Sequence, residues 1–321
     1  MTPPNLIHYA DDRPGISRRR AGRGWSYRAP DGTTIDDIGE RARIEALAVP
    51  PAYRDVWISP KINGHLQATG YDDRARKQYR YHPDWSEWRA VRKYTELPAF
   101  GAVLPSLRRK VAAALAGEAG ERDFAFAAVI RLIDRTSMRI GAPEYLADNG
   151  TEGATTLQQG NLRLRDGTVR LDWTAKGGKR VRRQISDRTL GRALHDLADL
   201  PGAPLFEWIE DGQRREVQAD QVNGWLRKAT GLETATAKTF RTWNGSVAAM
   251  ETALAQGEGV TIKAMAEAAA EVLHNTATIA RNSYIHPDVI GLAEAWVVPE
   301  AAGPQGLRMA ERSLMGLMGG S

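Results

Sequence analysis

The chain has 321 residues, 42% hydrophobic and 26% charged, with a net charge of +5 and no cysteine. That length supports two domains with cores of their own. Without cysteine there are no disulfides, no Cys-based zinc sites and no cysteine nucleophile. No apolar run reaches transmembrane length and no basic-then-apolar leader opens the chain, so the expected location is cytoplasmic.

The charge is unevenly placed. Residues 1–93 hold 17 Lys and Arg against 12 Asp and Glu, whereas the remainder holds 27 of each. The whole excess lies in the first segment. This suits attraction to a polyanion, although a solvated basic surface has the same composition.

In chain order, Ser17-Arg-Arg-Arg-Ala-Gly-Arg-Gly24 either touches phosphate or forms a mobile arm. Trp25–Arg28 and Thr33–Ile35, separated by Asp31-Gly32, read as a short hairpin. Arg41–Leu47 reads as one or two helical turns stopped by Pro50-Pro51. Val56–Ile58, His65–Thr69 and Gln78–Tyr81 read as strands. Alternation puts Tyr79 and Tyr81 on one strand face, among Arg74, Arg76, Lys77 and Arg80. With Gln78 this is either a base-reading surface or a buried Tyr face beneath solvated charge. The β-rich module is expected to end near residue 85.

A helical domain follows. Pro105–Gly117 is predicted as a helix with Pro105 near its start. Arg122–Ile140 is predicted as the next, with Phe126, Val129, Ile130 and Ile133 on a buried face and Gly141 as its terminator. That places Arg139 in the last turn, where a cation also complements the helix dipole. Leu162 and Leu164, Asp166-Gly167, then Val169, Leu171 and Trp173 give a hairpin signal. A second turn carries Lys176 beside Gly177-Gly178, and residues 176–192 hold seven Lys or Arg against Asp187 alone. The spacing there is not that of a P-loop.

Helices resume at Leu190. Phe240, Trp243, Val247, Met250 and Leu254 mark a long one, with Lys238 and Arg241 in its first turns. Ala264–Leu273 leads into Tyr284, and Pro287 then stops the helix. A lone Tyr there is ordinarily a core residue with its hydroxyl at the rim. The last residues, 301–321, have weak periodicity and are expected to form a weakly packed tail. Arg139, Lys176, Arg241 and Tyr284 all fall where side chains leave rigid elements. Cations beside a phenol favour its phenolate and would stabilise a five-coordinate phosphorane.

Five stretches of this kind, in this order, make the chain closely resemble the bacterial, poxvirus-like type IB DNA topoisomerases over most of residues 20–298. They are Val56–His82, Arg135-Thr-Ser-Met-Arg-Ile-Gly141, Trp173-Thr-Ala-Lys-Gly177, Lys238-Thr-Phe-Arg-Thr-Trp243 and His274–Pro287. The resemblance implies an α+β protein: a small β-rich DNA-clamping domain (1–88), a mainly helical catalytic domain with a small antiparallel sheet (89–300), and the tail. It implies Tyr284 as nucleophile and Arg139, Arg241 and Asn275 on the nonbridging oxygens. Lys176 is implied as general acid, and Gln78, Tyr79, Tyr81, Arg76, Lys77 and Lys238 as DNA contacts.

Many relatives carry His nine residues before the tyrosine. Here that place is Asn275, chosen over His274 on the phase of an unbroken helix, since one residue rotates a side chain by ~100°. His274 is then a packing or surface residue. The implied activity is relaxation of both signs of supercoil through a 3′-phosphotyrosyl bond, by a nucleoid-associated monomer on double-stranded DNA. No ATP, nucleotide cofactor, obligatory metal or membrane is involved. The alternative, a tyrosine site-specific recombinase, shares the chemistry but has a helical rather than β-rich N-terminal module.

Overall fold

In the computed structural model, which describes residues 3, 5–165 and 168–319, the Arg-rich stretch is a strand and not a mobile arm. Strand β1 (Ile16–Ala21) pairs antiparallel with β2 (Gly24–Arg28) and with β3 (Arg54–Ile58). With β4 (Leu66–Tyr71) and β5 (Lys77–Tyr81) they make a five-stranded sheet in the order β2-β1-β3-β4-β5. The arm is ordered because Arg18 is spent internally. Its guanidinium donates to the carbonyls of Val49, Pro50 and Tyr53 at 2.9 Å each and lies 4.1 Å from the Trp25 ring centroid. The predicted return strand 33–35 makes a single bridge, Arg28 to Thr34, on the edge of β2 away from β1, with the Ala29 amide on the Thr33 carbonyl and the Ile35 amide on the Tyr27 carbonyl at 2.9 Å each. Ile16, Tyr27, Val56, Ile58 and Ala68 form a core with Ile44 of helix α1 (Ile38–Ala46), which Asp37 caps. This unit runs Met1–Lys93 and a second runs Tyr94–Ser321; helix α2 (Pro83–Thr95) lies at the junction in sequence.

The second unit is mainly helical. Helix α3 (Leu97–Ala114) begins eight residues before Pro105, which lies inside it. The apolar stripe Leu97, Phe100, Leu104, Leu107 and Val111 is buried, and this packing outweighs the proline's lost hydrogen bond. Helix α4 (Arg122–Thr136) is almost wholly buried from Phe124 to Ile133. It ends at Ser137, in the left-handed region at φ 56°, so it stops four residues short of the predicted Ile140. Helix α5 (Pro143–Asn149) follows.

Strands β6 (Leu162–Arg165), β7 (Thr168–Ala175) and β8 (Lys179–Ser186) form a three-stranded antiparallel sheet. The Asp166-Gly167 turn expected there lies outside the described residues. Helix α6 (Arg188–Ala198) is capped by Asp187. A hairpin of β9 (Glu207–Glu210) and β10 (Gln213–Glu216) then turns on Asp211-Gly212, both at positive φ. Its Asp-Gly signal is present in the sequence, but the flanking residues are too polar to read as strands.

Helices α7 (Ala219–Thr230), α8 (Ala237–Gln256), α9 (Ile262–Leu273), α10 (Ala277–Tyr284), α11 (Pro287–Gly291) and α12 (Met309–Gly319) complete the unit. The predicted weak tail is corrected by α12. Its Ala310, Leu314 and Met318 join the main core, and Glu311 is fully buried in an ion-pair network. Among the described residues, no helix is long and apolar enough to cross a membrane.

Candidate active site

Tyr284 is the last residue of α10, and its ring is half-buried against α8. Two neighbours in α8 set its place. Gly245 allows close approach, since a Cβ there would lie 2.9 Å from the Tyr284 carbonyl oxygen and 3.1 Å from its Cβ. Ser246, fully buried, donates from Oγ to the Tyr284 carbonyl at 3.2 Å and accepts from the His286 amide at 2.9 Å. One side chain thereby holds both ends of the turn between α10 and α11.

Arg241, in the second turn of α8, is only 3% exposed. It donates to the carbonyls of Ser137 and Leu273, and its Cζ lies 4.9 Å from the Tyr284 ring centroid. Asn244, one turn on, donates to the carbonyl of Asp134 and to Ser137 Oγ, at 3.0 Å each. Arg241 and Asn244 thus grip the end of α4. The chain leaves that end extended, so Arg139 is not in a helical last turn and no helix dipole accounts for it. The backbone of Arg139 and Ile140 is held instead by the amides of Ala154 at 2.8 Å and Thr155 at 2.7 Å.

The run from α9 to Tyr284 is not one helix. It breaks at His274, left-handed at φ 55°, and restarts with Thr276 as cap. Asn275 is therefore not in phase with Tyr284 on an unbroken helix, contrary to expectation. Asn275 nevertheless reaches the site from the break: its Oδ1 accepts from Arg139 Nη2 at 2.7 Å. Arg139, Arg241, Asn275 and Tyr284 are brought together. Lys238 stands exposed in the first turn of α8, near enough to act electrostatically on Tyr284. Lys176 is exposed on the β7–β8 turn and bonds to none of these four. In the N-terminal unit Tyr79 and Tyr81 stack with centroids 6.1 Å apart, 48% and 41% exposed, so the buried-face reading is excluded. Arg76, Lys77 and Gln78 are tied to acids: Arg76 and Gln78 to Asp72, Lys77 to Asp11.

The electrostatics of the cluster are unusual. Arg108, Arg131, Arg135 and Arg308 all meet carboxylates. Arg139 and Arg241 meet none among the described residues. Arg241 Nε and Asn275 Nδ2 are buried donors without an acceptor. Burial, and then the charge of Arg139, make Arg241 a stronger acid than usual. Burial pushes the Tyr284 phenol up, but Arg241, Arg139 and Lys238 outweigh it and leave the phenol more acidic than usual. A site with unneutralised cations, unpaired donors and an acidified phenol is built to receive an anion and attack it.

Residues 24–72 match the family described as bacterial DNA topoisomerase IB, N-terminal domain. Residues 83–283, more than half of the chain, match the family described as eukaryotic DNA topoisomerase I, catalytic core. The chain belongs to the type IB DNA topoisomerases. A protein named DNA topoisomerase 1B from Acanthamoeba polyphaga mimivirus is 25% identical over 238 residues, covering 73% of this chain and 70% of that one. Membership of this family implies DNA as the substrate. The catalytic-core match stops one residue before Tyr284, so the case for that residue rests on its motif and its surroundings. Sequence reasoning missed Ser137, Asn244, Gly245 and Ser246, which shape the site. They carry no periodic or charge signal; Ser137 lies inside the Arg135–Gly141 motif, and proximity to the Lys238–Trp243 motif could have flagged the other three.

Proposed function

We propose that this topoisomerase relaxes positive and negative supercoils of double-stranded DNA through a transient 3′-phosphotyrosyl bond, without ATP or an obligatory metal. Tyr284 loses its proton to solvent water and its Oη attacks a backbone phosphorus in line. The bond to the 5′-oxygen breaks, and Lys176 protonates that leaving oxygen. Arg139, Arg241 and the Asn275 amide hold the nonbridging oxygens as negative charge builds. The free strand end swivels, and the 5′-hydroxyl then attacks the phosphotyrosine and restores the backbone. One phosphodiester is exchanged for another of similar energy, so the cycle needs no fuel. The stacked Tyr79 and Tyr81, with Gln78, Arg76, Lys77 and Lys238, contact the duplex.

The observation that supports this reading above others is the pair of arginines without carboxylates, Arg241 buried and Arg139 partly so, beside an acidified tyrosine. The test is relaxation of positively and negatively supercoiled plasmid in EDTA without ATP. Wild type should relax both, whereas Tyr284→Phe should bind DNA, form no covalent adduct and relax neither. Adducts formed by Tyr284→Phe would remove Tyr284 from the role.

A further inference from the structure

His274 takes no part in the chemistry described above, yet it sits at the centre of the site's architecture. It closes α9 in the left-handed region, where glycine costs least and a side chain is not needed. Its ring meets Trp173 edge to face, with centroids 5.4 Å apart and planes at 80°. Trp173 is 3% exposed and lies on β7 three residues before Lys176. Arg183 and Lys179, on the other arm of the same hairpin, also act electrostatically on the ring, as do Arg241 and Arg139. Its Nε2 is buried without a partner, so ring packing rather than a hydrogen bond at that atom holds it. The next residue is Asn275, bound to Arg139.

Beyond Trp173 the hairpin is held at Thr174, whose amide donates to the Glu152 carboxylate at 2.8 Å and whose carbonyl accepts from the Glu152 amide at 2.7 Å, and at the buried Ala175. None of these contacts joins it to the segment carrying Asn275 and Tyr284. The turn closes through the Gly178 amide on the Ala175 carbonyl at 3.0 Å, and Gly177 and Gly178 both have positive φ. Lys176 has no hydrogen bond or ion pair among the described residues. The Trp173–His274 contact is therefore an anchor between the lysine hairpin and the segment carrying Asn275 and Tyr284.

We propose that His274 is a positioning residue, whose ring against Trp173 registers the Lys176 hairpin on the nucleophile segment so that Lys176 reaches the leaving 5′-oxygen. This rests on Lys176 being the general acid, as set out above. His274 is not itself an acid or base at neutral pH. Burial, and then Arg183, Arg241, Lys179 and Arg139, hold its pKa down at about 4, and the ring stays neutral.

The test is single-turnover cleavage of two duplexes, one with the natural 5′-oxygen at the cleaved bond and one with a 5′-bridging sulfur. A thiolate leaves without protonation, so the second duplex bypasses the acid. The variants are His274→Gly, which removes the ring but suits the left-handed position, and His274→Phe, which keeps a ring. His274→Gly should slow cleavage about tenfold or more on the oxygen duplex, a part of the ~10²–10⁴ that general acids contribute. On the sulfur duplex it should cleave close to wild type, and His274→Phe should recover much of the rate on oxygen. Equal slowing on both duplexes, or no slowing on either, overturns the proposal. Lys176→Ala runs beside them. If sulfur fails to rescue Lys176→Ala, the general-acid reading itself falls, and the failure is then located there rather than at His274.

Discussion

Glu311→Gln should destabilise the second unit by ~3 kcal/mol at neutral pH. The Glu311 carboxylate is fully buried. It accepts from Arg108 at 2.8 and 3.1 Å, from the Arg308 amide at 2.8 Å and guanidinium at 3.1 Å, and from Trp243 Nε1 at 3.3 Å. Burial alone would raise its pKa, but these donors, Arg108 foremost, bring it from 4.5 to about 2. A gap of about 2.5 units, at ~1.4 kcal/mol each, gives ~3 kcal/mol. Removing one partner of a buried pair costs ~3–5 kcal/mol by a separate line of reasoning, so the two agree.

The sign with pH follows from the depressed folded value. The contribution is full above 4.5 and is lost as pH falls towards about 2. Calorimetry or urea unfolding at pH 7 and again near pH 3 measures it. Glutamine should lower Tm by about 6–12 °C at pH 7, at ~2–4 °C per kcal/mol for a unit this size, and the two proteins should converge at low pH. Stability within ~0.5 kcal/mol of wild type at pH 7, or parallel pH curves, would refute the reasoning. Because Trp243 lies two residues beyond Arg241, the same network ties α12 to the helix that carries the active-site arginine.

Four further outcomes follow, three from the site and one from the N-terminal sheet. Gly245→Ala puts a methyl 2.9 Å from both Leu273 Cδ1 and the Tyr284 carbonyl; it should cost ~1–3 kcal/mol in unfolding measurements and slow cleavage by displacing the nucleophile. Asn275→Ala should cut the cleavage rate by about 10²-fold, the usual loss of one oxyanion donor. Asn275→Asp should be worse, since a carboxylate beside Arg139 neutralises it, raises the phenol pKa and moves the rate–pH profile to higher pH. Tyr79→Ala with Tyr81→Ala should leave Tm unchanged, because both rings are exposed, but weaken DNA binding in a filter or anisotropy assay; unchanged affinity would remove this face from the interface.

Much of the site was legible because its signals are local. Alternation with the Asp166-Gly167 signal placed β7, and the Gly177-Gly178 turn put Lys176 between it and a third strand. A 3.6-residue period placed α8, with Lys238 and Arg241 in its first turns. The break at His274 was not legible, because Ala264–Tyr284 is composed largely of residues that a continuous helix accepts. The chain breaks there because Leu273 must offer its carbonyl to Arg241 and the His274 ring must meet Trp173, and both partners are remote in sequence. The end of α4 was misread for a similar reason: Ser137 adopts the left-handed turn only because Arg241 and Asn244 hold it. The packed α12 was invisible because its anchor, Arg108 to Glu311, joins residues 203 positions apart.

The sequence by itself determined the two-part α+β organisation and the family, and named the groups proposed to react, since motif residues and periodicities are properties of short stretches. Only the tertiary structure decided which cations are available for chemistry. Arg131, Arg135 and Arg139 share a four-residue spacing, yet Asp187 takes the first two and leaves Arg139 for the site. A guanidinium is free or spent according to which carboxylates the fold brings within ~4 Å, and pairing over such distances in the chain follows from packing rather than from local pattern.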